Sequence, residues 1–203
     1  SGESDSCAAE VTVVDAEAPT IKTQNVTVQL DDTGNASITV SAVDGGTTDN
    51  CCIDSWNLSK SSFNCADVGQ QEVTLTVTDC NGNSNSATAT VTVEDNVPPV
   101  VKTKDISILL DETTKTAVID ADAVDDGSTD NCCIASRSIS KSEFTYADLT
   151  NRFQPPQTVT LTVTDCNGNS SCATAAVTVE IERLRQREEA TSREDVIRTR
   201  PRR

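Results

Sequence analysis

Val73-Thr74-Leu75-Thr76-Val77-Thr78-Asp79-Cys80-Asn81-Gly82-Asn83-Ser84 recurs residue for residue as Val159 to Ser170. Within it Val73, Leu75 and Val77 alternate with Thr74, Thr76 and Thr78, the period of a strand with one buried face. β-Branched residues suit a pleated surface, and the Asn-Gly that follows marks a hairpin turn. A strand and its hairpin therefore occur twice. Outward from this stretch the duplication continues. Thr48-Asp49-Asn50-Cys51-Cys52-Ile53 returns as Thr129-Asp130-Asn131-Cys132-Cys133-Ile134, and Asp15-Ala16-Glu17-Ala18-Pro19 is echoed by Asp95-Asn96-Val97-Pro98-Pro99. The period is close to 80 residues and lengthens through an insertion around Asn151-Arg152-Phe153-Gln154-Pro155-Pro156.

Period-2 segments at 25–30, 36–43, 53–59, 72–78 and 87–94 predict six or seven short strands per repeat. That density of strands and turns predicts an all-β chain of two tandem Ig-like β-sandwich repeats, 15–95 and 96–180. Residues 181–203 form a separate Arg-rich tail with helix-forming residues and pairs such as Glu189/Arg193. Residues 1–14 read as the last strand of a preceding repeat, because Cys7-Ala8-Ala9-Glu10-Val11-Thr12-Val13 resembles the closing stretch Cys172 to Val179. That strand either belongs to a longer array or is donated to a neighbouring molecule. Trp56 invites comparison with the buried Trp of immunoglobulin domains, but its counterpart is Arg137, so partial exposure is expected.

Composition narrows the function. The chain of 203 residues has no His, which rules out Ser-His-Asp and Cys-His catalysis. With five aromatic residues it offers no platform for stacking sugars, so an enzyme is not expected. Its net charge of −16 is uneven: residues 1–180 carry 27 acids against 8 bases, and 181–203 carry 5 acids against 8 arginines. An acidic body repels nucleic acid and anionic membranes. No apolar run approaches the ~20 residues that cross a bilayer. The Asn-x-Ser/Thr sequons at Asn25, Asn35, Asn57 and Asn169 would matter only in a eukaryotic host.

The nine cysteines, without a CxxC pair, point to disulfides in an oxidising, extracellular or cell-surface setting.

The pattern Asp-Asn-Cys, then Val-Thr-Leu-Thr-Val-Thr-Asp-x-Asn-Gly-Asn, then Ala-Thr-Ala-x-Val-Thr-Val-Glu-Asp-Asn, resembles hyalin-repeat modules. It is most similar to the repeat arrays of bacterial surface adhesins of the gliding-motility type. The resemblance implies a stalk or adhesive role whose partners are neighbouring repeats, identical subunits, surface glycans or other cells. The doubled Cys51-Cys52 and Cys132-Cys133 depart from the single Cys of that pattern, so its connectivity does not transfer.

Strand tracing puts the Asp44–Cys52 loop and the Asp79–Ser84 hairpin at one pole of repeat 1, and Asp125–Cys133 and Asp165–Ser170 likewise in repeat 2. One disulfide per repeat should join the loops, Cys51 or Cys52 to Cys80 and Cys132 or Cys133 to Cys166. The spare thiol would then take Cys65 in repeat 1 and Cys172 in repeat 2, leaving Cys7 over. The same poles gather oxygen ligands suited to calcium, which takes 6–8 of them. The first set is Asp15, Glu17, Asp44, Asp49 and Asp79. The second is Glu94, Asp95, Asn96, Asp125, Asp126, Asp130, Asp165, Asn167 and Asn169. The expected role is mechanical, a disulfide-stapled and calcium-stiffened surface module. The alternatives are a filament subunit exchanging residues 8–14 and a carbohydrate-binding accessory module.

Overall fold

The fold follows from how each repeat disposes of the apolar face of its central hairpin. The computed structural model describes residues 7–151 and 154–182. The expected helix-forming tail therefore lies almost wholly outside the described residues, as do Arg152 and Phe153 of the insertion. The chain divides into two units, Ser1–Asp95 and Asn96–Arg203.

In the first unit the elements run β1 (Val26–Gln29), β2 (Asn35–Ser37), α1 (Val40–Val43), β3 (Ile53–Leu58), β4 (Ser62–Asn64), β5 (Gly69–Asp79) and β6 (Ser84–Glu94), with a short 3-10 turn, Cys65–Asp67, between β4 and β5. A four-stranded sheet has the order β1-β6-β5-β3, and a two-stranded sheet pairs β2 with β4. β6 lies antiparallel to β5 and parallel to β1. The closing strand of the repeat is thus a central strand, hydrogen-bonded on both sides.

The second unit repeats this with β7 (Ile106–Leu109), β8 (Thr116–Val118), α2 (Ala121–Val124), β9 (Ile134–Ile139), β10 (Glu143–Thr145), β11 (Gln157–Asp165) and β12 (Ser170–Glu180), in the orders β7-β12-β11-β9 and β10-β8.

The Thr/Val alternation does what its period dictates. Val73, Leu75 and Val77 of β5 are buried, and so are Val91 and Val93 of β6. Phe63 of β4 closes the opposite side of this core with Leu30, Ile38 and Val43. Phe144 takes the same part over Val159, Leu161, Val163, Val177 and Val179. Lys60 lies 5.2 Å from the Phe63 ring centroid and bonds Asp67, which accepts at 2.5 Å. Lys141, Phe144 and Asp148 reproduce that lid. A cation over an aromatic face, neutralised by a carboxylate behind it, covers a core too thin to cover itself.

Three expectations change. The stretch 36–43 is not one strand: only Asn35–Ser37 pairs, and Val40–Val43 turns once as a helix that brings Val43 into the core. The strand Ser62–Asn64 was not foreseen. Its three residues give too short a pattern to read, and its partner β2 is equally short. The central strands are also longer than expected, at 11 residues each for β5 and β6.

Candidate metal centre

The pole holding the Cys52 loop and the β5–β6 hairpin is built by side chains bonding their own backbone. Asp79 ends β5, and its Oδ1 accepts the N–H groups of Asn81 at 2.9 Å and Asn83 at 2.7 Å. This is the Asx geometry that Asp and Asn favour in turns. Gly82 takes φ 90°, which other residues resist. Asn83 then reaches outward: its Nδ2 donates to Asp79 Oδ2 at 2.7 Å and to the carbonyl of Asp15 at 3.2 Å. The extended segment entering the repeat is tied to the hairpin in this way.

Asp49 organises the other loop, its Oδ1 accepting the N–H of Cys51 at 2.9 Å and of Cys52 at 3.0 Å. That turn aims Cys52 at Cys80, with which it forms a disulfide across a Cα separation of 5.7 Å. The backbone seals the junction, Cys80 N–H donating to the Cys52 carbonyl at 3.1 Å.

Asp15, Asp49 and Asp79 consequently converge, each with a carboxylate oxygen within 4.8 Å of the others'. Their hydrogen bonds are one-sided. Asp15 Oδ1 accepts from Glu17 N–H at 3.1 Å and Asn50 Nδ2 at 3.2 Å. The second oxygens, Asp15 Oδ2 and Asp49 Oδ2, are buried and meet no N–H or O–H donor. Buried acceptors without donors are uncommon and costly. Nor is there a cation among the described side chains to balance the group.

Asp79 is shut from solvent, which pushes its pKa up, but the hydrogen bonds from Asn83 and Asn81 outweigh burial and hold it below the ordinary carboxylate value. Asp15 is lowered too, chiefly by the Glu17 N–H and by Asn50. Asp15 and Asp79 therefore stay anionic at neutral pH. Beside it the Cys51 thiol is pushed up by its hydrogen bond to Asp15 and by that carboxylate's charge.

The second unit builds the same loops. Asp130 Oδ2 accepts from Cys132 and Cys133 N–H at 2.8 and 3.1 Å, and its Oδ1 is buried without a donor. Asp165 repeats the part of Asp79 with Asn167 N–H at 2.9 Å and Asn169 N–H at 2.7 Å. Cys133 is bonded to Cys166. Asp95, the counterpart of Asp15, is the last residue of the first unit and is buried.

Several other residues assigned to the ligand sets have partners of their own. Asp44 caps its own loop, accepting from Gly46 and Thr47 N–H. Asp125 accepts from Ser128 and is paired with Arg137 at 3.2 Å. Burial raises its pKa, but Ser128 and Arg137 bring it below the ordinary value. Glu94 Oε2 accepts from Gln29 at 2.6 Å. Glu17 borders the first group, where its Oε2 accepts from Asn50 at 3.4 Å. Asn96, Asp126 and Asn167 are exposed.

Of the alternatives left open for the staples, Cys52 and Cys133 are the bonded members. The second bridges assigned to Cys65 and Cys172 fail, because Cys51, Cys172 and Cys7 are free and exposed. Cys65 and Cys132 are in disulfide form. The sequence missed Asn83 and Asn50 as organisers of the group, although the paired Asn-Gly-Asn and Asp-Asn-Cys-Cys motifs held the signal.

Among solved structures the chain is similar to human mucin-like protocadherin EC1-2, at 15% identity over 82% of this chain and all of that one, with a TM-score of 0.41. Drosophila N-cadherin EC1-4 matches at 15% identity over 81% of this chain and half of that one, with a TM-score of 0.44. Human protocadherin-24 EC1-2 matches at 15% over 81% of this chain and 99% of that one, with a TM-score of 0.43. No protein-family model and no curated protein matches the chain. The fold class therefore rests on the strand order above, and the hyalin-repeat resemblance on its own residues.

Proposed function

We propose that this chain is an extracellular structural and adhesive repeat module of the hyalin-repeat kind, disulfide-stapled and stiffened by calcium at the pole of each repeat. The observation that carries this reading is that one construction, a carboxylate-lined pole closed by a disulfide, is made twice by the same residues. Oxygen-only ligands and a net charge of −16 favour a hard divalent cation. In the first repeat Asp15, Asp49 and Asp79 would supply carboxylates, with Glu17 at the edge. In the second, Asp130 and Asp165 are the counterparts of Asp49 and Asp79. Calcium would join the segment entering the first repeat to both of its loops. Two staples suit an oxidising compartment. No helix among the described residues is long and apolar enough to cross a membrane. The role we assign is mechanical rather than catalytic.

Calorimetric titration with calcium, paired with thermal melting in calcium and in chelator, tests this. The reading expects saturable binding and a higher melting temperature with calcium. A melting curve unmoved by chelation would overturn the calcium part, and full labelling of Cys52 and Cys80 in the unreduced protein would overturn the extracellular part.

A second reading has its own observation. Val11 and Val13 are 81% and 89% exposed, whereas their counterparts Val91, Val93, Val177 and Val179 are at most 1% exposed. A segment patterned as a central strand and left bare suits strand addition to another sandwich. Mixing chains with and without residues 7–14 and following assembly by light scattering checks it; equal assembly by both would dismiss it. A carbohydrate-binding role has less behind it, since Trp56 and Tyr146 are the exposed aromatics among the described residues and sit in different repeats.

A further inference from the structure

The second unit bears an apolar pair that the first lacks. Leu109 at the end of β7 and Val118 at the end of β8 are 40% and 74% exposed. Their counterparts in the first unit, at the ends of β1 and β2, are Gln29 and Ser37. Leu109, Val118 and the buried Leu110 line a groove with Asp111, Glu112 and Glu182. Its volume of about 560 Å³ lies within the ~300–1,000 Å³ of clefts that hold ligands. β7 and β8 are both edge strands, one beside β12 and the other beside β10. The rim of the groove is acidic. Asp111 Oδ1 accepts the N–H groups of Thr113 and Thr114 at 2.8 and 2.7 Å. The cation nearest to hand, Lys115, donates to the Glu112 carbonyl rather than to its carboxylate. An apolar pair beside two such carboxylates suits an occupant that is both apolar and cationic.

The chain supplies one. The described residues end at Glu182, which belongs to the groove's own lining. Arg183-Leu184-Arg185-Gln186-Arg187 follow it, and 183–203 hold eight arginines against four acids. We propose that residues 183–187 dock in this groove of their own sandwich, with Leu184 over Leu109 and Val118 and the arginines meeting Asp111 and Glu112. Leu184 is two residues past Glu182, a reach of about 7 Å. Arginine stems lie along apolar surface while their guanidinium groups take carboxylates, so both halves of the groove are met. The first unit has no need of such a cover. It is polar at Gln29 and Ser37, and its closing strand leads into Asp95-Asn96-Val97 instead of a basic segment. The segment thus caps the second sandwich, taking an apolar pair out of water beside two strand edges that another chain could otherwise extend.

Hydrogen–deuterium exchange of the full chain, read by mass spectrometry at a low and a high protein concentration, tests this. The amides of 183–187 should exchange about tenfold slower, or more, than in a synthetic peptide of 181–203, and equally so at both concentrations. Leu109→Gln with Val118→Ser installs the residues that the first unit already carries on the matching strands. That variant should return 183–187 to the rate of the peptide while β11 and β12 stay protected. Leu184→Ser alters the segment alone and should do the same, which keeps the test decisive if the groove variant folds poorly. Fast exchange of 183–187 in the parent, or slow exchange that survives Leu184→Ser, would overturn the proposal. Protection seen only at the higher concentration would overturn it as well, by giving the groove to the segment of a second copy.

Discussion

At the scale of single residues, the division of labour within each carboxylate is what makes the pole testable. Asp49 uses Oδ1 on the backbone and leaves Oδ2 buried without a donor. An Asn there keeps a carbonyl for the two N–H groups and removes the charge. Asp49→Asn should therefore weaken calcium binding tenfold or more in calorimetry, with a melting temperature in chelator at or above that of the parent. The core makes a different demand. Phe63 and Phe144 are the largest fully buried side chains, and each closes one sandwich. Phe63→Ala or Phe144→Ala should cost about 3–5 kcal/mol in denaturant titration, through lost burial and the cavity left behind.

At the scale of elements, the staple and the hairpin turn cooperate. Cys52 and Cys80 are 28 residues apart in sequence, and their bond holds the edge strand β3 to the end of β5. Replacing both by Ser should lower stability by about 2–4 kcal/mol, largely because the unfolded chain regains freedom. Equilibrium unfolding of the double variant checks it. The turn itself depends on Gly82, at φ 90° with open space where a Cβ would be. Gly82→Ala would clash with nothing yet still be strained, so a loss of about 1 kcal/mol is expected by the same measurement.

At the scale of the molecule, the acidity sets the pH response. Asp15 and Asp79 have folded-state pKa values below the ordinary 3.8. Groups shifted down contribute stability that is fully present above 3.8 and is lost as pH falls through the lower folded values. Calcium affinity should accordingly hold from neutral pH down to 3.8 and be lost below it, as Asp15 and Asp79 take up protons. Calorimetry at stepped pH measures this; a loss of affinity between pH 6 and 7 would contradict it.

The sequence by itself determined the repeat, its period, the all-β class and which faces are buried. Those follow from local rules, alternation at Val73–Thr78 and turn chemistry at Asp79–Ser84, that need no partner to be legible. It also brought the two loops to one pole, since strands that run out must return. Only the tertiary structure decided which of two adjacent cysteines is the staple. Cys51 and Cys52 are chemically identical, and the Asp49 turn alone makes Cys52 face Cys80. Only it separated Asp15, Asp49 and Asp79 from Asp44 and Asp125, because a carboxylate's role depends on which donors surround it, and a capped or ion-paired Asp looks the same in sequence as an orphaned one. Strands of three residues such as β2 and β4 were likewise out of reach, since they exist through pairing rather than pattern.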